Sequence, residues 1–206
     1  LHRKSKTVAT ELPVWVNLLD DRDDHIIEWD ALPHAANPDN KYGFKIKVPE
    51  RKYNLGEIYN LCIKKGTLSE EERFKINDHI VQTIVMLEEL PFPKHLALVP
   101  EYAGGHHETL IGTGYPKKLS INELSIPARV MAIADIFEAL TASDRPYKNG
   151  KSLNESMSIM QKLVQNKHID ADIFEVFLRS GVYLDYANKF LNPDQIDGID
   201  IEKYLN

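Results

Sequence analysis

From Tyr53 almost to the C-terminus, apolar residues recur at helical spacing and almost nowhere alternate with the period of a strand. That pattern confines the chain to an all-α fold. Helices are expected near 54–64, 68–89, 94–105, 125–142, 152–165, 170–180 and 182–190. The loops between them carry Gly and Pro, notably in Gly112-Thr-Gly-Tyr-Pro116. A weaker helical stripe, Val8, Leu12, Val16 and Leu19, marks a short helix within 5–20. Between Asp20 and Lys52 lies a polar, aperiodic stretch with Pro33, Pro38 and Pro49, longer than loops inside compact domains usually are. It reads as a connector or wrapping arm with a short strand at Phe44–Val48. The expected organisation is residues 1–52 as N-terminal helix and irregular connector, and residues 53–206 as a helical domain.

At 206 residues and 43% hydrophobic content the chain can build one sizeable core. Its 31 acidic against 25 basic side chains leave a net charge of -6, which argues against a nucleic-acid polymer or a membrane surface as partner. A local basic pocket for a small anion stays compatible with that charge. The single cysteine, Cys62, excludes an internal disulfide and fits a reducing compartment; flanked by Leu61 and Ile63, it is expected to be a buried, inert thiol. No apolar stretch is long enough to span a bilayer, and the basic N-terminus lacks the apolar segment of a signal peptide. The expected location is cytoplasmic. The first residue is not Met, which reads as a processed or excised piece.

Two helices carry candidate chemistry. Helix 68–89 opens with Ser69 and Glu72 in capping-box spacing, and Ile76, Ile80, Thr83, Ile84 and Leu87 form its expected buried stripe. His79 lies about 60° from the centre of that stripe, a position open to a core-edge residue as well as to a ligand. In helix 125–142, Ile126, Val130, Ile133, Phe137 and Leu140 make one apolar face. Ala128, Ala132, Ala139 and Ala142 line the other, with Asp135 among them. A helix apolar on nearly every side is expected at the centre of its domain, where a carboxylate needs a cation, or a buried Arg, to compensate it. The small alanines leave room for close backbone approach. Between the two helices stand His106 and His107. Adjacent helical residues point about 100° apart and so suit a pair of ions better than one. With His79 and Asp135 they form a His/Asp set suited to iron, manganese or zinc, and the lack of Cys ligands excludes a structural zinc finger.

The run Gly105-His-His-Glu-Thr-Leu-Ile-Gly-Thr-Gly-Tyr-Pro116 resembles the HH…GYP signature of the HD-GYP family. Ile126-Pro-Ala-Arg-Val-Met-Ala-Ile-Ala-Asp135 is similar to that family's central helix, and Asp144-Arg-Pro-Tyr-Lys148 is another of its hallmarks. Upstream, Gly66-Thr-Leu-Ser-Glu-Glu-Glu-Arg-Phe-Lys-Ile-Asn-Asp-His79 looks like the helix bearing the family's middle histidine. The resemblance covers residues 53–190 and implies an HD-superfamily helical bundle that hydrolyses cyclic di-GMP in bacterial signalling. It implies His79, His106, His107 and Asp135 as ligands to two or three divalent transition metals, Fe or Mn rather than Zn. It implies Arg145 and Lys148 as substrate-binding residues, since a guanidinium can grip a phosphate with two hydrogen bonds. Gly114, Tyr115 and Pro116 match the GYP loop, which in the family helps organise the site and contacts partner domains. Sensory or regulatory domains upstream in the full-length protein are a further implied partner.

The chain also departs from the family. The His-Asp-x-Gly-Lys tetrad expected shortly before Gly66 is absent, and Val48–Asn60 stands in its place. Asp24-His25 reverses the order and lies in the irregular arm. Ile111 occupies a position where the family often has Asp, and one extra residue separates Asp135 from Arg145. The reading is a C-terminal portion of an HD-GYP domain whose His-Asp helices lie upstream. The chain then supplies metal ligands but no catalytic residue of its own, and turns over little cyclic di-GMP in isolation. The alternatives are a degenerate HD-GYP module that binds a nucleotide or protein, and an HD hydrolase acting on other phosphate esters. The Gly114-Tyr115-Pro116 loop stands against the last.

Overall fold

The computed structural model describes Pro13, residues 17–143 and residues 150–205. The helix expected within 5–20 falls largely outside these residues. Among the described residues are seven α-helices: α1 (Glu57–Leu61), α2 (Glu70–Glu88), α3 (Val99–Gly104), α4 (Ile126–Thr141), α5 (Leu153–Gln165), α6 (Ala171–Arg179) and α7 (Val182–Phe190). The strands are two residues each, β1 (Ile26–Ile27) and β2 (Tyr53–Asn54), paired antiparallel with Ile26 opposite Asn54. The fold is all-α, and no described helix is long and apolar enough to cross a membrane.

Helix starts follow the capping chemistry of the sequence. Ser69 accepts the N–H of Glu72 at 3.2 Å while Glu72 accepts the N–H of Ser69 at 2.9 Å, and Ser152 and Glu155 repeat that reciprocal pair before α5. Ser125 caps α4, which has Pro127 in its first turn. Asp170 caps α6, and its other carboxylate oxygen receives Arg129 at 2.6 Å.

Chain contacts divide the molecule into two compact units. One comprises residues 1–31 and 49–74; the other comprises residues 32–48 and 75–206. In the first, Trp29 meets Phe74 edge-on, and the Tyr59 hydroxyl donates to the buried Glu71 at 3.0 Å. Cys62, expected to be buried, is exposed here, as is Leu61. The five-residue α1 is too short to bury a continuous apolar face.

The second unit holds two cores. In the larger, Ile133 and Phe137 of α4 pack with Met157 and Met160 of α5, Phe174 and Leu178 of α6, and Tyr183 of α7. In the smaller, Ile80, Val81 and Ile84 of α2 enclose Phe44. The segment around Phe44 is therefore a wrapping arm, but residues 44–48 form no strand. Lys45 donates to the Pro116 carbonyl at 2.7 Å without a continuing ladder. Ile76, placed in the buried stripe of α2, is 53% exposed, because Phe74, Ile80, Val81 and Ile84 carry that packing.

Helix α4 is not enclosed on every side. It packs on α3, α5 and α6 and buries Ala128, Ala132, Ile133 and Phe137. Ile126 and Val130 are 62% and 46% exposed, and Asp135 is exposed with them. Val130, Ala134 and Phe137 line an apolar groove of about 340 Å³ completed by Val176, Phe177 and Tyr186. Apolar composition all round thus marks a helix with one side open, not one at the centre of the unit.

Candidate metal centre

Helix α3 delivers the histidine pair. It ends in Gly104 and Gly105, whose lack of side chains lets it lie close to two other helices. A Cβ on Gly104 would come within 2.7 Å of Ile84 in α2, and one on Gly105 within 2.8 Å of Ala128 in α4. The alanine face of α4 is here used as expected, for close backbone approach. His106 and His107 follow directly, and His79 projects from α2 to meet them.

The three imidazoles form one group whose ligating nitrogens all lie within 4.8 Å of one another. Ring centroids are 4.1 Å apart for His106 and His107, and 4.9 Å for His79 and His107. His79 Nε2 stands 3.1 Å from His107 Nε2. The other ring nitrogens fix the tautomers. His79 Nδ1 donates to the Ile76 carbonyl at 2.6 Å, and His106 Nδ1 donates to the Ala103 carbonyl at 2.7 Å. A carbonyl can only accept, so at His79 and His106 Nδ1 carries the proton and Nε2 is the nitrogen that would face a cation.

Electrostatics favour the neutral imidazole at His107. Burial, then the neighbouring His106 and His79, push its pKa down to about 4, while the carboxylate of Asp135 opposes them. A neutral imidazole is the form that ligates. The donor set and its tautomers therefore fit a borderline divalent cation. Asp135 is not within the three-nitrogen group, yet its charge reaches both His107 and Tyr115.

The loop after the histidines folds back on them. The Tyr115 N–H donates to the His107 carbonyl at 3.2 Å, and its ring stacks on the His107 ring at 4.8 Å and 20°. Gly114 sits so close to the chain it crosses that a Cβ there would lie 2.5 Å from Glu108 Cα. Pro116 is buried, with a cis Tyr115–Pro116 bond. Arg145 and Lys148 lie outside the described residues.

Two residues passed over in the sequence take part. His168, expected from the sequence to be a surface or outer residue, is half-buried near His107, and burial lowers its pKa. Nothing in its sequence surroundings announces that placement. Glu108 is 2% exposed and accepts backbone N–H groups from Lys117 and Leu119, and its position directly after the histidine pair is the one signal that could have marked it.

An all-helical domain that converges histidines from the middle of one helix and the end of another defines a helical metal-binding class. A family model described as HD domain matches residues 13–173. The chain belongs to the HD domain family, as a member of its HD-GYP branch. It is 40% identical to a 3'3'-cGAMP-specific phosphodiesterase of Vibrio cholerae over 131 residues, 62% of this chain and 30% of that protein. Identity is 36% to a cyclic di-GMP phosphodiesterase of Pseudomonas aeruginosa over 121 residues, 58% of this chain and 28% of the relative. A cyclic di-GMP phosphodiesterase of Thermotoga maritima is 33% identical over 135 residues, 66% of this chain and 33% of its own length. The matched region thus spans a third or less of each of these proteins.

Proposed function

We propose that this chain is part of a metal-dependent phosphodiesterase domain acting on a cyclic dinucleotide, with cyclic di-GMP as its substrate in bacterial signalling. The observation that carries the reading is the convergence of His79, His106 and His107 within 4.8 Å, with backbone carbonyls holding the Nδ1 protons of two of them. The names of the relatives support the substrate class, a bis-purine cyclic dinucleotide. Divalent iron or manganese suits imidazole ligands with Asp135 as a fourth donor from α4. A cation held there supplies Lewis-acid polarisation of a phosphoryl oxygen and lowers the pKa of water. The chain's own residues do the rest. His79 and His106 stay fixed by Ile76 and Ala103, Tyr115 covers one face of His107, and the net charge of -6 leaves substrate phosphate to Arg145 and Lys148.

Four ligands are fewer than a two-ion cage requires, and the His-Asp-x-Gly-Lys tetrad is absent from this chain. The chain alone is therefore expected to turn over cyclic di-GMP slowly and to need further ligands from the full-length protein. The test is hydrolysis of cyclic di-GMP, 3'3'-cGAMP and a mononucleotide phosphodiester by this chain and by the full-length protein, each loaded with Mn(II). The reading predicts cyclic dinucleotide turnover by the full-length protein and little by the chain. Turnover of the mononucleotide ester alone, or none by either protein, would refute it.

A further inference from the structure

We infer that Glu108 is a positioning residue that clamps the 109–119 loop and, through Tyr115, sets the orientation of the His107 imidazole. The inference rests on the metal-site reading above. Glu108 is 2% exposed, and the nearby Lys117 charge acts on it without forming a close ion pair among the described residues. Its two carboxylate oxygens instead accept the N–H groups of Lys117 at 2.7 Å and Leu119 at 2.9 Å, both on the far limb of the loop. The Leu119 bond closes a ring of twelve residues that runs from Glu108 to Leu119. Inside the ring the Tyr115 N–H reaches the His107 carbonyl and the Tyr115 ring lies on the His107 ring.

His107 needs that support more than its neighbours do. His79 and His106 are each oriented by a backbone carbonyl three residues earlier. His107 Nδ1 has no hydrogen-bond partner among the described residues, and the ring's fixed contacts are His79, His106 and the face of Tyr115. A buried carboxylate is costly where an apolar side chain would fill the same space. Two convergent N–H donors explain why one is used: they give direction to loop closure, which packing alone does not.

The test compares the parent chain with Glu108→Gln, which keeps size but loses one acceptor, and with Glu108→Ala and Tyr115→Ala. Measurements on the metal-free protein are amide hydrogen exchange and the side-chain NMR signals of the histidines; Co(II) titration follows. In Glu108→Ala the amides of both Lys117 and Leu119 should lose protection, and in Glu108→Gln at least one of them should, while those of α4 and α5 keep parent rates. The His107 ring signals should shift, and Co(II) binding should weaken about 10- to 100-fold. Tyr115→Ala should weaken Co(II) binding equally, and the Glu108→Gln/Tyr115→Ala double variant should lose no more than either alone. Unchanged His107 signals and Co(II) affinity despite deprotected loop amides would overturn the inference. So would additive losses in the double variant, or loss of protection spread evenly over all helices. Should Glu108→Ala fail to fold, Glu108→Gln decides alone. A parent chain that binds no Co(II) would refute the metal reading, and the His107 signals would still decide the part played by Glu108.

Discussion

His79 and His106 each donate Nδ1–H to a carbonyl three residues earlier, a bond that depends only on local backbone geometry, helical at His79 and a turn at His106. It presets the ligating nitrogen before any cation arrives. Replacing either with Ala should lower Mn(II) or Co(II) affinity by at least ~100-fold, more than the loss of an outer partner, as read by calorimetric titration. His107 gives the pH prediction. Its folded pKa of about 4 lies below the ordinary 6.5, so below pH 6.5 the unfolded chain takes up a proton that the native state resists. In chelator-treated protein, stability should be full above pH 6.5 and fall as pH drops towards 4. The half-buried His168 should contribute in the same direction. Urea melts at pH 7.0, 5.5 and 4.5 check this, and His107→Gln should flatten the slope; an equal slope in parent and variant would contradict it. The histidine pair, the GYP loop and His79 were legible as residues because they carry recognisable spacing. The parts of Glu108 and His168 were not, since each depends on contacts across a folded loop or between helices.

The bounds of α2, α4, α5, α6 and α7 were legible to within two residues, because capping side chains and periodicity act locally, whereas the helices expected at 54–64 and 94–105 shrink to Glu57–Leu61 and Val99–Gly104. Ser152→Ala, which removes the cap of α5, should cost about 1 kcal/mol in denaturant unfolding with no effect on metal affinity. Gly105→Ala acts differently. The added methyl would sit 2.8 Å from Ala128, pushing α3 off α4 and carrying the histidine pair with it. A loss of about 1–3 kcal/mol is expected together with weaker Co(II) binding, so stability and affinity fall jointly where Ser152→Ala separates them. What failed at this scale were readings that need a neighbouring element. The expected strand at 44–48 has β-compatible residues but no partner to form a ladder. Ile76 has the right period for the α2 stripe, yet it stays 53% exposed, with no element covering it among the described residues. Asp135 sits in a helix whose apolar composition pointed to full enclosure, whereas α3, α5 and α6 cover only part of its circumference.

Across the whole molecule, the chain carries a family domain match over residues 13–173 and spans a third or less of its phosphodiesterase relatives. In the proposed site, His79 from the middle of α2 meets His106 and His107 just after α3, and Asp135 contributes charge from the open side of α4. A polyanionic substrate approaching a chain of net charge -6 needs the cation both for chemistry and for attraction, so removing metal should weaken dinucleotide binding as well as turnover. The most direct test of the account is Co(II) titration of this chain beside His107→Ala, followed by calorimetry and the visible ligand-field spectrum. The account predicts a nitrogen-rich Co(II) spectrum that saturates in the parent chain and is lost in the variant. Indistinguishable titrations of the two proteins would contradict it, because the cation would then be held somewhere other than the three converged imidazoles.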